Sequence, residues 1–116
     1  MSRDSEPTNP GAPRACSIAD ALDVVGERWT LLVLRELGLG VHRFKDIRTN
    51  TGAPRETLTL RLRKLEESGL IERRRYSERP PRDEYLLTAA GRDLEPVLRG
   101  LRQWGERNAT PLRRTS

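Results

Sequence analysis

Hydrophobic positions along this chain change their period several times, and each change marks an element. Nothing periodic precedes Cys16. The run MSRDSEPTNPGAPRA carries three prolines and small polar residues, which predicts a disordered tail over 1–15. From there Ile18, Ala21, Leu22 and Val25 recur at helical spacing, with Ser17 the expected N-cap and Gly26 the stop. A second helix is expected from Arg28 to Leu37. Its Trp29, Leu31, Leu32, Val33, Leu34 and Leu37 leave almost no polar face, so it should run through the centre of the core. Gly38 and Gly40 end it. A short third helix, Arg43 to about Thr49, offers Phe44 and Ile47 inward.

A turn, Asn50-Thr51-Gly52-Ala53, leads into a helix with Pro54 expected at its first position, where the missing N–H has no partner to lose. Leu58, Leu62 and Leu65 form its core stripe, and Gly69 closes it in the left-handed conformation. Leu70–Tyr76 and Glu84–Thr88 read as strands, joined by Ser77–Asp83 and stiffened by Pro80-Pro81. A last helix should start near Ala89, capped by Thr88, and run to about Arg107. Its apolar face is Leu94, Val97, Leu98, Leu101 and Trp104, and Pro96 either kinks it or marks a late start. Residues 109–116 should fray. The expected architecture is therefore a single domain over 16–108. It is mainly α with a small β-hairpin wing, a winged helix-turn-helix.

Function is most legible between Pro54 and Thr88. With the leucine stripe inward, Glu56, Leu60, Arg63 and Lys64 face outwards, with Thr57, Thr59 and Arg61 on the flanks and Arg55 near the helix start. The N-terminal residues of such a helix reach base edges, which makes Arg55, Glu56, Thr57, Thr59 and Leu60 the base-edge candidates. Leu60 reads equally as a contact to a thymine methyl or as an ordinary exposed leucine. Arg61, Arg63 and Lys64 suit phosphates, although Arg61 also reads as an ion-pair residue with Glu66 or another acid. At the wing, Arg79 to Arg82 can reach backbone or minor groove. Arg73, Arg74 and Arg75 alternate along a strand, so not all three can face DNA.

Charge strengthens this picture. The net charge is +5 and the isoelectric point about 10.3, in the range of nucleic-acid-binding domains. Pro54–Arg82 holds nine basic against five acidic residues, so most of the excess lies in one segment. At 116 residues with 34% hydrophobic content, a lone monomer should be only marginally stable, which favours a partner subunit. No apolar stretch approaches a membrane span, and no signal-peptide core appears at the N-terminus. A cytoplasmic protein without membrane attachment is expected.

These motifs resemble the HxlR-type winged-helix transcriptional regulators of bacteria. The likeness runs from Cys16 to about Arg107 through CSIADALDVVGERWTLLVLREL, RFKDI, LTLRLRKLEESGLIERRRY, ERPPRDEYLLTAAG and a closing LxxWG. It implies a homodimer held by the first and last helices, with Ile18, Leu22, Leu94, Leu98, Leu101 and Trp104 at the subunit contact. It further implies a near-palindromic double-stranded DNA operator and a regulator, in the first instance a repressor. The chain departs from the family pattern at Ala53-Pro54, where Ile-Ser often precedes the proline, and at Asp83, a position usually apolar.

Cys16 sits at the family's N-terminal cysteine position, which in some members senses oxidants or electrophiles. The start of the first helix, with Arg14 and Arg28 expected nearby, would favour the thiolate. It is the chain's one cysteine, so an intrachain disulfide is excluded. Sensing would need an intersubunit bond, a mixed disulfide or alkylation, while a small packed residue explains the position equally. Trp29 and Trp104 read as core or interface residues, or as the lining of a site for a small-molecule effector. One His and one Cys supply no metal cluster, no phosphate-binding glycine loop appears, and neither an enzyme nor a cofactor is expected. The remaining alternative is a winged helix used for protein–protein assembly, without specific DNA binding.

Overall fold

A computed structural model describes residues 14–110. The tails expected over 1–15 and 109–116 lie outside the described residues, apart from Arg14, Ala15, Ala109 and Thr110. Six helices and one hairpin follow in the order α1 (Ser17–Val25), α2 (Arg28–Gly38), α3 (Phe44–Thr51), α4 (Arg55–Glu67), β1 (Ile71–Glu78), β2 (Pro81–Leu87), α5 (Ala89–Arg92) and α6 (Glu95–Asn108). This is a mainly helical chain with a two-stranded antiparallel wing.

The core is one cluster. Val33, Leu34 and Leu37 of α2 meet Ile47 of α3, Leu58, Leu62 and Leu65 of α4, and Leu70 and Ile71 at the hairpin root. Each such side chain contributes roughly 1.5–3 kcal/mol on burial, so the α2–α4 contact carries much of the stability. The expected position of α2 holds, but its expected lack of polarity does not. Thr30 and Glu36 are buried on it, Glu36 at 4% exposure. Glu36 is satisfied by Arg35 Nε at 2.8 Å and Asn50 Nδ2 at 2.8 Å. Arg35 Nη2 also donates to the Asn50 carbonyl at 3.3 Å. A buried carboxylate thus ties α2 to the end of α3, where an unpaired charge would be strongly destabilising.

Several boundaries move by a residue or two for identifiable reasons. The N-cap of α1 is Cys16 instead of Ser17, its Sγ accepting from the Ala19 amide at 3.3 Å. Arg43 caps α3 from outside the helix, and Pro54 is the N-cap of α4 with an extended ψ of 146°, not its first helical residue. The strands run further than expected, leaving Arg79-Pro80 as the turn, because the ladder continues to Glu78↔Pro81. The single last helix is two. Thr88 Oγ1 accepts from the Gly91 amide at 3.2 Å and starts α5, and α6 begins afresh at Glu95 with Pro96 in its first turn. Pro96 therefore marks a late start. Gly91 packs so tightly that a Cβ there would lie 2.2 Å from the Leu70 carbonyl oxygen.

Candidate nucleic-acid interface

The helix-turn-helix is α3, a tight turn and α4. Gly52 makes the turn by adopting φ +77°, open to glycine at little cost. Thr51 Oγ1 donates to the Ile47 carbonyl at 2.8 Å and accepts from the Ala53 amide at 3.2 Å. Ala53, just before the N-cap, is buried. Proline at the N-cap offers no side-chain acceptor, so among the described residues no side chain caps α4 and its first amides are left for other acceptors.

The leucine stripe of α4 is buried, and the opposite face is open. Arg55, Glu56, Thr59, Arg63 and Lys64 are exposed, Leu60 is 39% exposed and Thr57 is half-buried. Arg55 lies over the Phe44 ring, its guanidinium carbon 5.5 Å from the centroid. Thr59 Oγ1 donates back to the Arg55 carbonyl at 2.9 Å. Arg61 points elsewhere, its Nε 3.3 Å from Glu27 Oε2 without hydrogen-bond alignment. Of its two readings the structure supplies the ion pair, with Glu27 in place of Glu66. Glu27 also caps α2, accepting from the Thr30 amide at 2.9 Å.

The wing stands beside this face. On the core-facing side of β1, Ile71 opposes Leu87, Arg73 opposes Tyr85 and Arg75 opposes Asp83. Asp83, the unusual residue in the motif, takes Arg75 at 3.2 Å and Arg73 at 4.0 Å. Arg74 turns the other way and pairs with Glu72 at 3.4 Å. All three strand arginines are therefore engaged within the hairpin, and Arg79 and Arg82 are the exposed wing cations without an ion pair among the described residues. The wing is also tied to the segment that leads into α3. The Tyr85 amide donates to the His42 carbonyl at 2.8 Å, and Arg43 lies 4.5 Å over the Tyr76 ring at the bulge in β1. Burial pushes the Tyr85 phenol above its ordinary value, with Arg73 opposing and Asp83 and Glu66 reinforcing the shift.

Two further features flank the helix-turn-helix. Lys45 and Arg48 of α3 line a cleft shared with Arg55. Sequence reasoning passed over them because α3 was read for its core contacts, although their spacing of three on a helix was visible. On the flanking helices, Ile18 and Leu22 on α1 and Leu101 and Trp104 on α6 are exposed, Ile18 at 73% and Trp104 at 58%. Val24 and Val97 join them. Leu94 and Leu98, also expected at a subunit contact, are partly buried and pack against the chain's own core.

Residues 24–113 match the family model described as HxlR-like helix-turn-helix. The chain belongs to that family. Over 90 residues, 78% of this chain, it is 54% identical to an uncharacterized HTH-type transcriptional regulator of Mycobacterium tuberculosis (strain ATCC 25618 / H37Rv). That match takes in 57% of the relative, so the HxlR-like chain spans little more than half the relative's length. Among solved structures it resembles the redox regulator HypR in its oxidized form, with TM-score 0.74, 36% identity, and 80% of this chain against 97% of that one. It also resembles the reduced form of the transcriptional regulator YodB from B. subtilis, with TM-score 0.68, 28% identity, and 84% against 97% coverage. No helix among the described residues is long and apolar enough to cross a membrane.

Proposed function

We propose that the chain is a dimeric, sequence-specific DNA-binding transcriptional regulator that represses from a near-palindromic operator. One observation carries the reading. The exposed face of α4 and the wing tip present Arg63, Lys64, Arg79 and Arg82 without acid partners among the described residues, while Arg61 and the three strand arginines beside them are paired. In this reading α4 enters the major groove, and Glu56, Thr59 and Leu60, with the half-buried Thr57, meet base edges. Arg63 and Lys64 meet phosphates, and Arg79 and Arg82 meet the adjacent backbone or minor groove. Arg61 braces α4 through Glu27 instead of touching DNA. A second copy covers the apolar residues of α1 and α6, which sets two recognition helices at the spacing of two half-sites. The tails flank one domain over 16–108, the protein acts in the cytoplasm, and control by DNA occupancy requires no catalytic step.

Regulation through Cys16 fits the same arrangement. Its sulfur lies at the cap of α1, at the face assigned to the partner subunit, and HypR is described as a redox regulator. Two Cys16 thiols joined across the dimer would lose two protons and pass two electrons to an added oxidant. A mixed disulfide or an alkylated thiol would act at the same place.

A gel shift on a duplex carrying the protein's own upstream region tests the central reading. Sub-micromolar binding that resists competitor DNA at moderate salt is expected. Binding that moderate salt erases would leave a protein-assembly module as the better account.

A further inference from the structure

We propose that Lys45, Arg48 and Arg55 form a seat for the DNA sugar–phosphate backbone in the cleft between α3 and the start of α4. This rests on the DNA-binding reading above and adds a contact surface outside the α4 face and the wing. Lys45 and Arg48 lie three residues apart on α3 and so share a face. They line one cleft with Arg55, and no acidic side chain is among the residues lining it. The neighbouring cleft around His42, by contrast, brings Arg43 together with Asp46 and Glu84.

Pairing separates these three cations from seven arginines that acids hold. Arg35, Arg61, Arg73, Arg74, Arg75, Arg99 and Arg102 each have a carboxylate within 4.0 Å. Lys45, Arg48 and Arg55 are exposed and have none among the described residues. Phe44 holds the Arg55 guanidinium at the cleft wall, and a stacked guanidinium gives up less freedom on binding an anion. The uncapped start of α4 adds amide donors and a partial positive charge on the same side. Gly52 lines the cleft without a side chain, so that wall lets a polymer backbone come close.

Three cations without an acceptor among them suit a phosphodiester, which presents negative oxygens at regular spacing. A base edge asks for donors and acceptors in a fixed pattern. Guanine also presents two acceptors, so the assignment of Arg55 to the backbone, in place of the base edge expected at the helix start, rests on the cleft it shares with Lys45 and Arg48 and on its place over the Phe44 ring.

Salt titration of binding by the full chain tests this, on the upstream duplex and on a random-sequence duplex. Each cation removed should lower the slope of log K against log salt by about 0.9. The Lys45→Ala/Arg48→Ala variant should then weaken about 12-fold less than wild type between about 50 and 200 mM salt, equally on both duplexes. Arg55→Ala should lower the slope and leave the ranking of single-base operator substitutions intact. If the alanine variant unfolds earlier than wild type, Lys45→Gln/Arg48→Gln takes its place with the same expectation. An unchanged slope in the double variant, or relaxed discrimination at one base pair in Arg55→Ala, overturns the seat. Failure of the wild type to bind specifically would instead sink the regulator reading.

Discussion

Glu27 shows how much one side chain can organise. It caps α2 through the Thr30 amide and hydroxyl and lies beside Arg61 of α4. Partial burial pushes its carboxyl up, but the amides of Trp29 and Thr30 together with Arg61 outweigh that and hold it below 4.5. A carboxyl depressed in the folded state stabilises fully above its unfolded value, and that contribution is lost as pH falls through the folded value. Glu27→Ala should therefore cost about 1 kcal/mol near neutrality, the usual value of a cap. In urea melts across pH, the gap to wild type should close below 4.5. A gap that stays constant into acid would show that the charge of Glu27 contributes nothing.

Cys16 is the other residue whose neighbourhood makes a testable demand. Its sulfur is occupied at the α1 cap, so oxidation must disturb the start of that helix. A thiol oxidant or a quinone should release DNA from the wild type, and Cys16→Ser should bind DNA and ignore the oxidant. An equal response in the serine variant would remove Cys16 from the mechanism.

At the scale of elements, α1 and α6 are the helices that a single chain leaves unfinished. None of the side chains of α6 is buried, and its Val97, Leu101 and Trp104 recur at spacings of four and three. Such a stripe reads as amphipathic in sequence and has nothing to lie on among the described residues. Leu101→Glu should leave the monomer folded, because Leu101 touches mostly solvent there. It should weaken the dimer about 30-fold or more, corresponding to ~2 kcal/mol at an interface centre. Sedimentation velocity over a range of concentrations reads this directly. A dimer of unchanged strength would place the subunit contact elsewhere. By contrast, α3 and α4 are complete within the chain, since Gly52, Thr51 and the Glu36–Asn50 contact fix their angle from inside.

Across the whole molecule, the informative quantity is the pairing of charges more than their sum. Arg35 on α2, the strand arginines of the wing and Arg99 and Arg102 on α6 are paired locally, whereas Lys45, Arg48, Arg55, Arg63, Lys64, Arg79 and Arg82 stand exposed and unpaired among the described residues on α3, α4 and the wing tip. Arg63→Ala should accordingly lower the salt slope of DNA binding by about 0.9 and weaken all sequences alike. Arg99→Ala removes a cation already held by Glu95 on α6 and should leave the slope unchanged. Equal slopes for the two variants would mean that net charge, and not its placement, sets the affinity.

The order of elements up to the wing, the leucine stripe of α4, the glycines at Gly52 and Gly69 and the proline-marked turn were determined by the sequence alone. Periodicity and backbone freedom are local properties, and neighbours in the chain carry them. Partnership is not local. That Arg61 meets Glu27, that Asp83 is clamped by Arg73 and Arg75, and that Glu36 is buried under Asn50 depend on residues distant in sequence but adjacent in space. The same holds for Leu94 and Leu98, which share a helical stripe with Leu101 yet face the chain's own core. A helical wheel assigns a direction to each side chain. Only the packed structure decides what lies in that direction, because burial and ion pairing are set by the elements that converge there.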